Sequence, residues 1–116
     1  MLQRTRGANW ILESGTAIPY LTNDEAFEWD SAKAAQNWRR HGVTFQQAVK
    51  ALRDPFAVEK IDDLENYGEE RINALGMCDG VILRVTYTER GERTRIISAR
   101  RATRREQDDY YRENAP

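Results

Sequence analysis

Arg84 and Arg95 are the residues whose type and placement first suggest chemistry. They stand in two β-branched runs, Val81 to Thr88 and Arg93 to Ala99, separated by Glu89-Arg90-Gly91-Glu92. A guanidinium grips a phosphate-like anion through parallel N–H bonds, where lysine acts as a point charge, so two arginines on one surface make an anion site. The alternation of Leu83, Val85 and Tyr87 with Arg84, Thr86 and Thr88 predicts a β-hairpin. With Arg90-Gly91 at the turn centre, Thr88 faces Arg93, Thr86 faces Arg95 and Arg84 faces Ile97. One face then carries Leu83, Val85, Tyr87, Ile96 and Ser98 as core, and the other gathers Arg84, Thr86, Thr88, Arg93 and Arg95.

Other residues offer proton transfer or charge. His41 is the only histidine, and with a reference pKa of about 6.5 it exchanges protons near neutrality without help. It directly precedes Gly42, so capping a helix C-terminus is the competing role. Lys33, within two turns of His41, either meets an anion or is solvated. Glu69 and Glu70 can act as bases if partly buried and are otherwise surface charge. Arg100, Arg101, Arg104 and Arg105 cluster at the start of a last helix, where free backbone N–H groups also attract anions. Their alternative is a general electrostatic surface or docking to an acidic partner. Cys78 has no partner thiol and no zinc spacing, and neither a nucleophile elbow nor a glycine-rich phosphate loop is present.

The elements that must position these groups are legible. Glu25 to Trp29 alternates as a short strand, and Asp30 is a good N-cap for a helix from Ser31 to His41 that Gly42 ends. Thr44 and Gln47 have capping-box spacing for a second helix, with Val43 and Ala48 as its hydrophobic staple, ending before Asp54-Pro55. Ala34, Ala35 and Trp38 on the first helix, and Phe45, Ala48, Val49 and Leu52 on the second, form an apolar seam. Trp29 and Trp38 are expected in the core. Phe56 to Ile61 and Glu70 to Met77 read as strands, joined by a polar loop over Asp62 to Gly68. Asp79-Gly80 is a hairpin turn, and Thr103 with Glu106 caps a last helix reaching about Glu113. The expected fold is α+β: a short strand, two helices, an antiparallel four-stranded meander and a C-terminal helix.

Composition sets the class. The 116 residues are the size of one domain, 40% hydrophobic and 32% charged, as suits a small soluble protein. One cysteine excludes an intrachain disulfide, no apolar run is long enough to span a membrane, and a reducing cytoplasm is the expected setting. The net charge of -1 hides an asymmetry, because Val81 to Pro116 holds 9 arginines against 6 acids and the rest holds 9 bases against 13 acids. Nucleic acid or an acidic protein suits the basic half.

FEWD at Phe27 to Asp30, Lys33, Asn37, HGV at His41 to Val43, Asp54-Pro55, GEER at Gly68 to Arg71, and RIISAR at Arg95 to Arg100 with Ala102-Thr103 and Glu106 together resemble the BrnT family. The resemblance runs from Phe27 to Tyr111 and leaves residues 1–24 as an extension of unknown role before a toxin-like domain at 25–116. It implies a RelE-like fold, a ribonuclease toxin of a bacterial type II toxin-antitoxin pair, and a ribbon-helix-helix antitoxin through which alone DNA is contacted. Metal-free RNA cleavage needs a base for the 2′-OH, an acid for the leaving oxygen and fixed cations for the phosphorane. Arg84, Arg95, His41 and Glu70 form the candidate catalytic set. Lys33, Arg71, Arg100, Arg101, Arg104 and Arg105 form the candidate substrate-binding set. No metal ligand and no cofactor is expected. The alternative is a non-catalytic antitoxin-binding module acting as a co-repressor.

Overall fold

Local capping decides where the helices begin. The computed structural model describes residues 2–4, 10–12, 26–62 and 70–116. Asp30 accepts from the Ala32 and Lys33 backbone N–H groups at 2.8 and 3.3 Å and starts α1, Ser31–His41. Gly42, at φ 66°, turns the chain out of α1, a conformation glycine adopts without a Cβ clash. Thr44 and Gln47 form the expected capping box ahead of α2, Phe45–Leu52, and Thr103 and Glu106 form another ahead of α3, Arg104–Glu113.

Among the described residues five strands make the main sheet, in the order β3 (Phe27–Glu28), β7 (Arg93–Arg101), β6 (Val81–Arg90), β5 (Arg71–Cys78), β4 (Val58–Asp62). From β4 to β7 it is the predicted antiparallel meander, and β3 joins β7 in parallel as a fifth strand. A separate antiparallel ribbon of β1 (Leu2–Arg4) and β2 (Trp10–Leu12) lies in the segment that shows no period in sequence. The expected strand at Phe56 starts later because the Asp54 side chain accepts from the Phe56 N–H at 2.9 Å, closing a turn. Glu25 and most of the 62–68 loop lie outside the described residues.

α1 and α2 cover one sheet face, and α3 covers the other. Phe45, Val49 and Leu52 pack with Ala74, Val85, Tyr87 and Ile96 in the first core; Tyr110 packs with Ile82 and Ala102 in the second. α2 approaches β5 so closely that a Cβ on Gly76 would stand 2.0 Å from the Ala51 carbonyl oxygen, which explains a glycine within a strand. Trp29 is partly buried against Phe45, edge to face at 5.9 Å, but Trp38 is 56% exposed. The seam expected on α1 is displaced because Asn37, one position and about 100° round the helix, faces the sheet instead. Asn37 donates to the Val43 and Ala99 carbonyls at 2.9 and 2.8 Å and accepts from the Ala99 N–H at 3.1 Å, so the inward position satisfies backbone rather than burying indole.

The β6–β7 register departs from the expected one twice. Arg90 pairs with Arg93, so the turn is Gly91-Glu92, and Thr88 faces Arg95 rather than Arg93. That two-residue shift keeps every side chain on its face. Beyond Tyr87 opposite Ile96, the next pair is Thr86 with Ser98, leaving Ile97 as the extra residue of a bulge. The bulge reverses the alternation. Ser98 therefore leaves the core face, Ala99 replaces it opposite Val85, and Arg84 faces Arg100 rather than Ile97.

Candidate functional site

Arg84 on β6 and Arg100 on β7 are cross-strand partners on the α3 side of the sheet, and both reach one carboxylate. Arg100 grips Glu106 with two bonds, Nη1 to Oε1 at 2.8 Å and Nη2 to Oε2 at 3.0 Å, while Arg84 Nε stands 3.5 Å from Oε2. Glu106 is the third residue of α3 and also accepts from the Thr103 backbone N–H at 2.9 Å, so the capping box itself aims the carboxylate at the arginines. Burial pushes the Glu106 carboxyl up. The Arg100 bonds, the Thr103 N–H and the charges of Arg100 and Arg84 outweigh it, and Glu106 titrates below its ordinary value. Two cations on one anion leave a surplus of positive charge.

Polar groups continue from this centre in two directions. Thr86, beside Arg84 on the same face, donates to Asn73 Oδ1 at 2.7 Å and lies opposite Ser98. Towards β4, a cleft of about 180 Å³ is lined by Val58, Lys60, Asn73, Leu75, Arg84, Glu106 and Asp109. Towards α1, a groove of about 200 Å³ runs past Ser98 and the bulged Ile97 to Lys33, Gln36, Asn37, Arg40 and His41. β3 pairs only with Thr94 and Arg95, so among the described residues this part of β7 has no strand beyond it and α1 supplies the wall.

The proposed pairing of Arg84 with Arg95 does not form. Arg95 lies on the expected face but opposite Thr88, four residues along β6 from Arg84, or roughly 13 Å at strand rise. There it forms a 2.9 Å ion pair with Glu28, tying β3 to β7. Glu70 is exposed just before β5, where its carbonyl accepts from the Thr88 hydroxyl at 2.7 Å, so the burial that a basic role required is absent. Glu69 lies outside the described residues. Arg71 is half-buried at the start of β5, on the face of Asn73 and Leu75. His41 and Lys33 share the α1 groove, apart from the carboxylate that Arg84 and Arg100 hold.

Of the four arginines expected together near the last helix, only Arg100 joins Arg84. Arg101 pairs with Leu83 on the opposite face and lines a shallow cleft with Gly42, Val43 and Asp79. Arg104 is exposed and paired with Asp108 one turn on at 3.4 Å, and Arg105 is exposed. Glu106, Asn73, Lys60 and Arg40 are additions that sequence reasoning missed. For Arg40 a signal existed, since Lys33, Gln36, Asn37, Arg40 and His41 recur at three-and-four spacing on one helical face.

A family model described as the ribonuclease toxin, BrnT, of type II toxin-antitoxin systems matches residues 29–106. The chain belongs to the BrnT family. The match to BrnT runs from Trp29 through α1, α2 and strands β4 to β7 to Glu106, and so contains Arg84, Arg100 and the carboxylate between them. A search of curated proteins found no match. As a BrnT toxin the chain has RNA as its substrate class and an antitoxin as its partner. Among the described residues no helix is long and apolar enough to cross a membrane.

Proposed function

We propose that the chain is an endoribonuclease that cuts RNA without a metal ion, with Arg84 and Arg100 holding the scissile phosphate. The observation that carries this reading is the convergence of both guanidinium groups on the one Glu106 carboxylate. An RNA phosphodiester makes the same demand on them, one negative charge on two terminal oxygens that grows as the phosphorane forms, and it competes for the pair. In the reaction, the ribose 2′-oxygen attacks phosphorus and gives up its proton, the P–O5′ bond breaks, and the leaving oxygen takes a proton. The products are a 2′,3′-cyclic phosphate and a free 5′-hydroxyl.

The arginines stabilise the charge that develops on the phosphorane. Glu106 is the proposed base. Once Arg84 and Arg100 turn to phosphate, only the Thr103 N–H still holds its carboxyl down, against the burial that pushes it up, and the carboxylate accepts a proton more readily. His41 is the proposed donor to the leaving oxygen from the adjoining groove, where Lys33 and Arg40 hold a flanking phosphate. Arg71, Arg101, Arg104 and Arg105 add long-range attraction for RNA. Arg95 and Glu70 have no catalytic role in this reading.

The proposed inhibitor is a ribbon-helix-helix antitoxin in the same cytoplasm, with DNA contacted only through it. Phe56, at 60% exposure, and Tyr111, at 58%, supply apolar surface beside the C-terminal end of α3, where Asn114 donates to the Phe56 carbonyl. Residues 25–116 are proposed to carry the activity. The test is RNA cleavage by the purified chain in excess chelator, with Arg100→Ala alongside. Cleavage that survives the chelator and collapses in the variant supports the reading. Growth arrest on expression of the chain alone, without RNA loss, would instead favour a non-catalytic antitoxin-binding module.

A further inference from the structure

We infer that the cleft between β4, β5 and α3 is a nucleobase subsite selective for guanine, an inference that rests on the proposed phosphate site at Arg84 and Arg100. Its volume of about 180 Å³ falls below the roughly 300–1,000 Å³ of pockets that hold drug-sized ligands, and suits a single base. Val58 and Leu75, paired across β4 and β5, offer apolar surface for the face of a ring. Arg84 and Glu106 line the same cleft, so a base held there has its backbone phosphate within reach of the arginine pair.

The polar groups at the walls select among bases. Asn73 accepts from Thr86 through Oδ1, which fixes the amide and leaves Nδ2 to donate into the cleft, and Lys60 adds a second donor. Asp109 contributes an acceptor: Arg112, three residues on, bonds its Oδ1 and leaves Oδ2. Guanine alone presents two adjacent N–H donors, N1–H and the N2 amino group, on the edge that also carries the O6 acceptor, with the N7 acceptor next to it. A carboxylate takes the donors and an amide or ammonium takes the acceptors. Adenine has one donor on that edge, and the pyrimidines fill less of the cleft.

Binding of guanosine 3′-monophosphate and adenosine 3′-monophosphate to the full chain, followed by NMR shifts of the Asn73 side chain and the Asp109 amide, tests this without any need for cleavage. The guanine nucleotide is expected to bind about tenfold more tightly, the discrimination of one good two-bond contact. Asp109→Asn, which replaces one acceptor by a donor, is expected to bring the ratio to about one, and Asn73→Asp to lower it by a separate route. Equal affinities in the native chain, or a guanine preference that survives Asp109→Asn, would overturn the subsite. The two readings fail separately. Should the nucleotides bind at this ratio while RNA is left uncut, the ribonuclease mechanism falls and the subsite stands. Should RNA be cut at all bases alike while the nucleotides bind alike, the subsite falls and the mechanism stands.

Discussion

One sheet face carries two arginine stations, and they are built differently. At one end Arg95 meets Glu28, one cation to one anion, at 2.9 Å. At the other Arg84 and Arg100 share Glu106, two cations to one anion, with Arg100 held by two bonds. The first pair is neutral and ties an edge strand to its neighbour. The second has charge to spare, and its carboxylate sits where another oxyanion can compete. Abundance of arginine on a face therefore does not by itself leave positive charge to spare; the ratio of cations to anions at each point decides it.

The largest effect expected from this contrast is on catalysis. Arg100→Ala is expected to lower the rate of RNA cleavage by about 10² to 10³, the range for loss of one aimed donor. Arg95→Ala is expected to leave the rate within about threefold and to cost on the order of 0.2–1 kcal/mol of stability, as a partly exposed pair does. Single-turnover kinetics with thermal melts of both variants checks this, and equal rate losses would erase the distinction between the stations.

A second substitution reaches the same end of the face through the backbone. Asn37 holds both backbone groups of Ala99, the residue before Arg100 and just past the bulge. Asn37→Ala strands buried backbone groups at about 1–3 kcal/mol each, so a clear fall in denaturant midpoint is expected, with a rate loss that Arg95→Ala lacks. Retention of full activity in a destabilised Asn37→Ala protein would show that the bulge does not aim Arg100.

The pH response sharpens the contrast by a smaller amount. The folded value of Glu106 lies below its unfolded one, so the stability it contributes is present above the ordinary glutamate value of about 4.3 and is lost as pH falls through the folded value. Glu106→Gln is expected to flatten the acid limb of stability against pH, which urea midpoints measured from neutrality down to that region reveal. An unchanged acid limb would mean that the Arg84 and Arg100 contacts do not favour the charged form.

The smallest effects are expected from arginines outside both stations. Arg104→Ala and Arg105→Ala each remove exposed charge, 88% exposed in the case of Arg104, and are expected to weaken RNA binding about twofold to fivefold at low salt. That loss should vanish as salt rises, whereas the loss in Arg100→Ala should persist. A salt titration of RNA affinity separates the two kinds.

Much of the architecture is legible in residue order because it depends on neighbours within a few positions. Asp30, Gly42, the two capping boxes and Asp79-Gly80 act over two to four residues, and each stands where the sequence predicts. The faces of Arg84, Thr86 and Arg95 are also legible, since strand alternation is local. Trp38 misleads because an apolar residue at helical spacing is ordinarily turned inward, and here Asn37 takes that direction to satisfy chain 62 residues away.

By itself the sequence determined the α+β order of elements, the helix ends and the family, all of which rest on short-range spacing and residue type. Tertiary structure decided which arginines meet. One inserted residue, Ile97, reverses the alternation of β7, sends Ser98 to the other face and brings Arg100 opposite Arg84. No local preference marks that insertion. It follows from the strands' mutual register and from the Asn37 bonds across the core, interactions between parts of the chain that only the completed fold brings together.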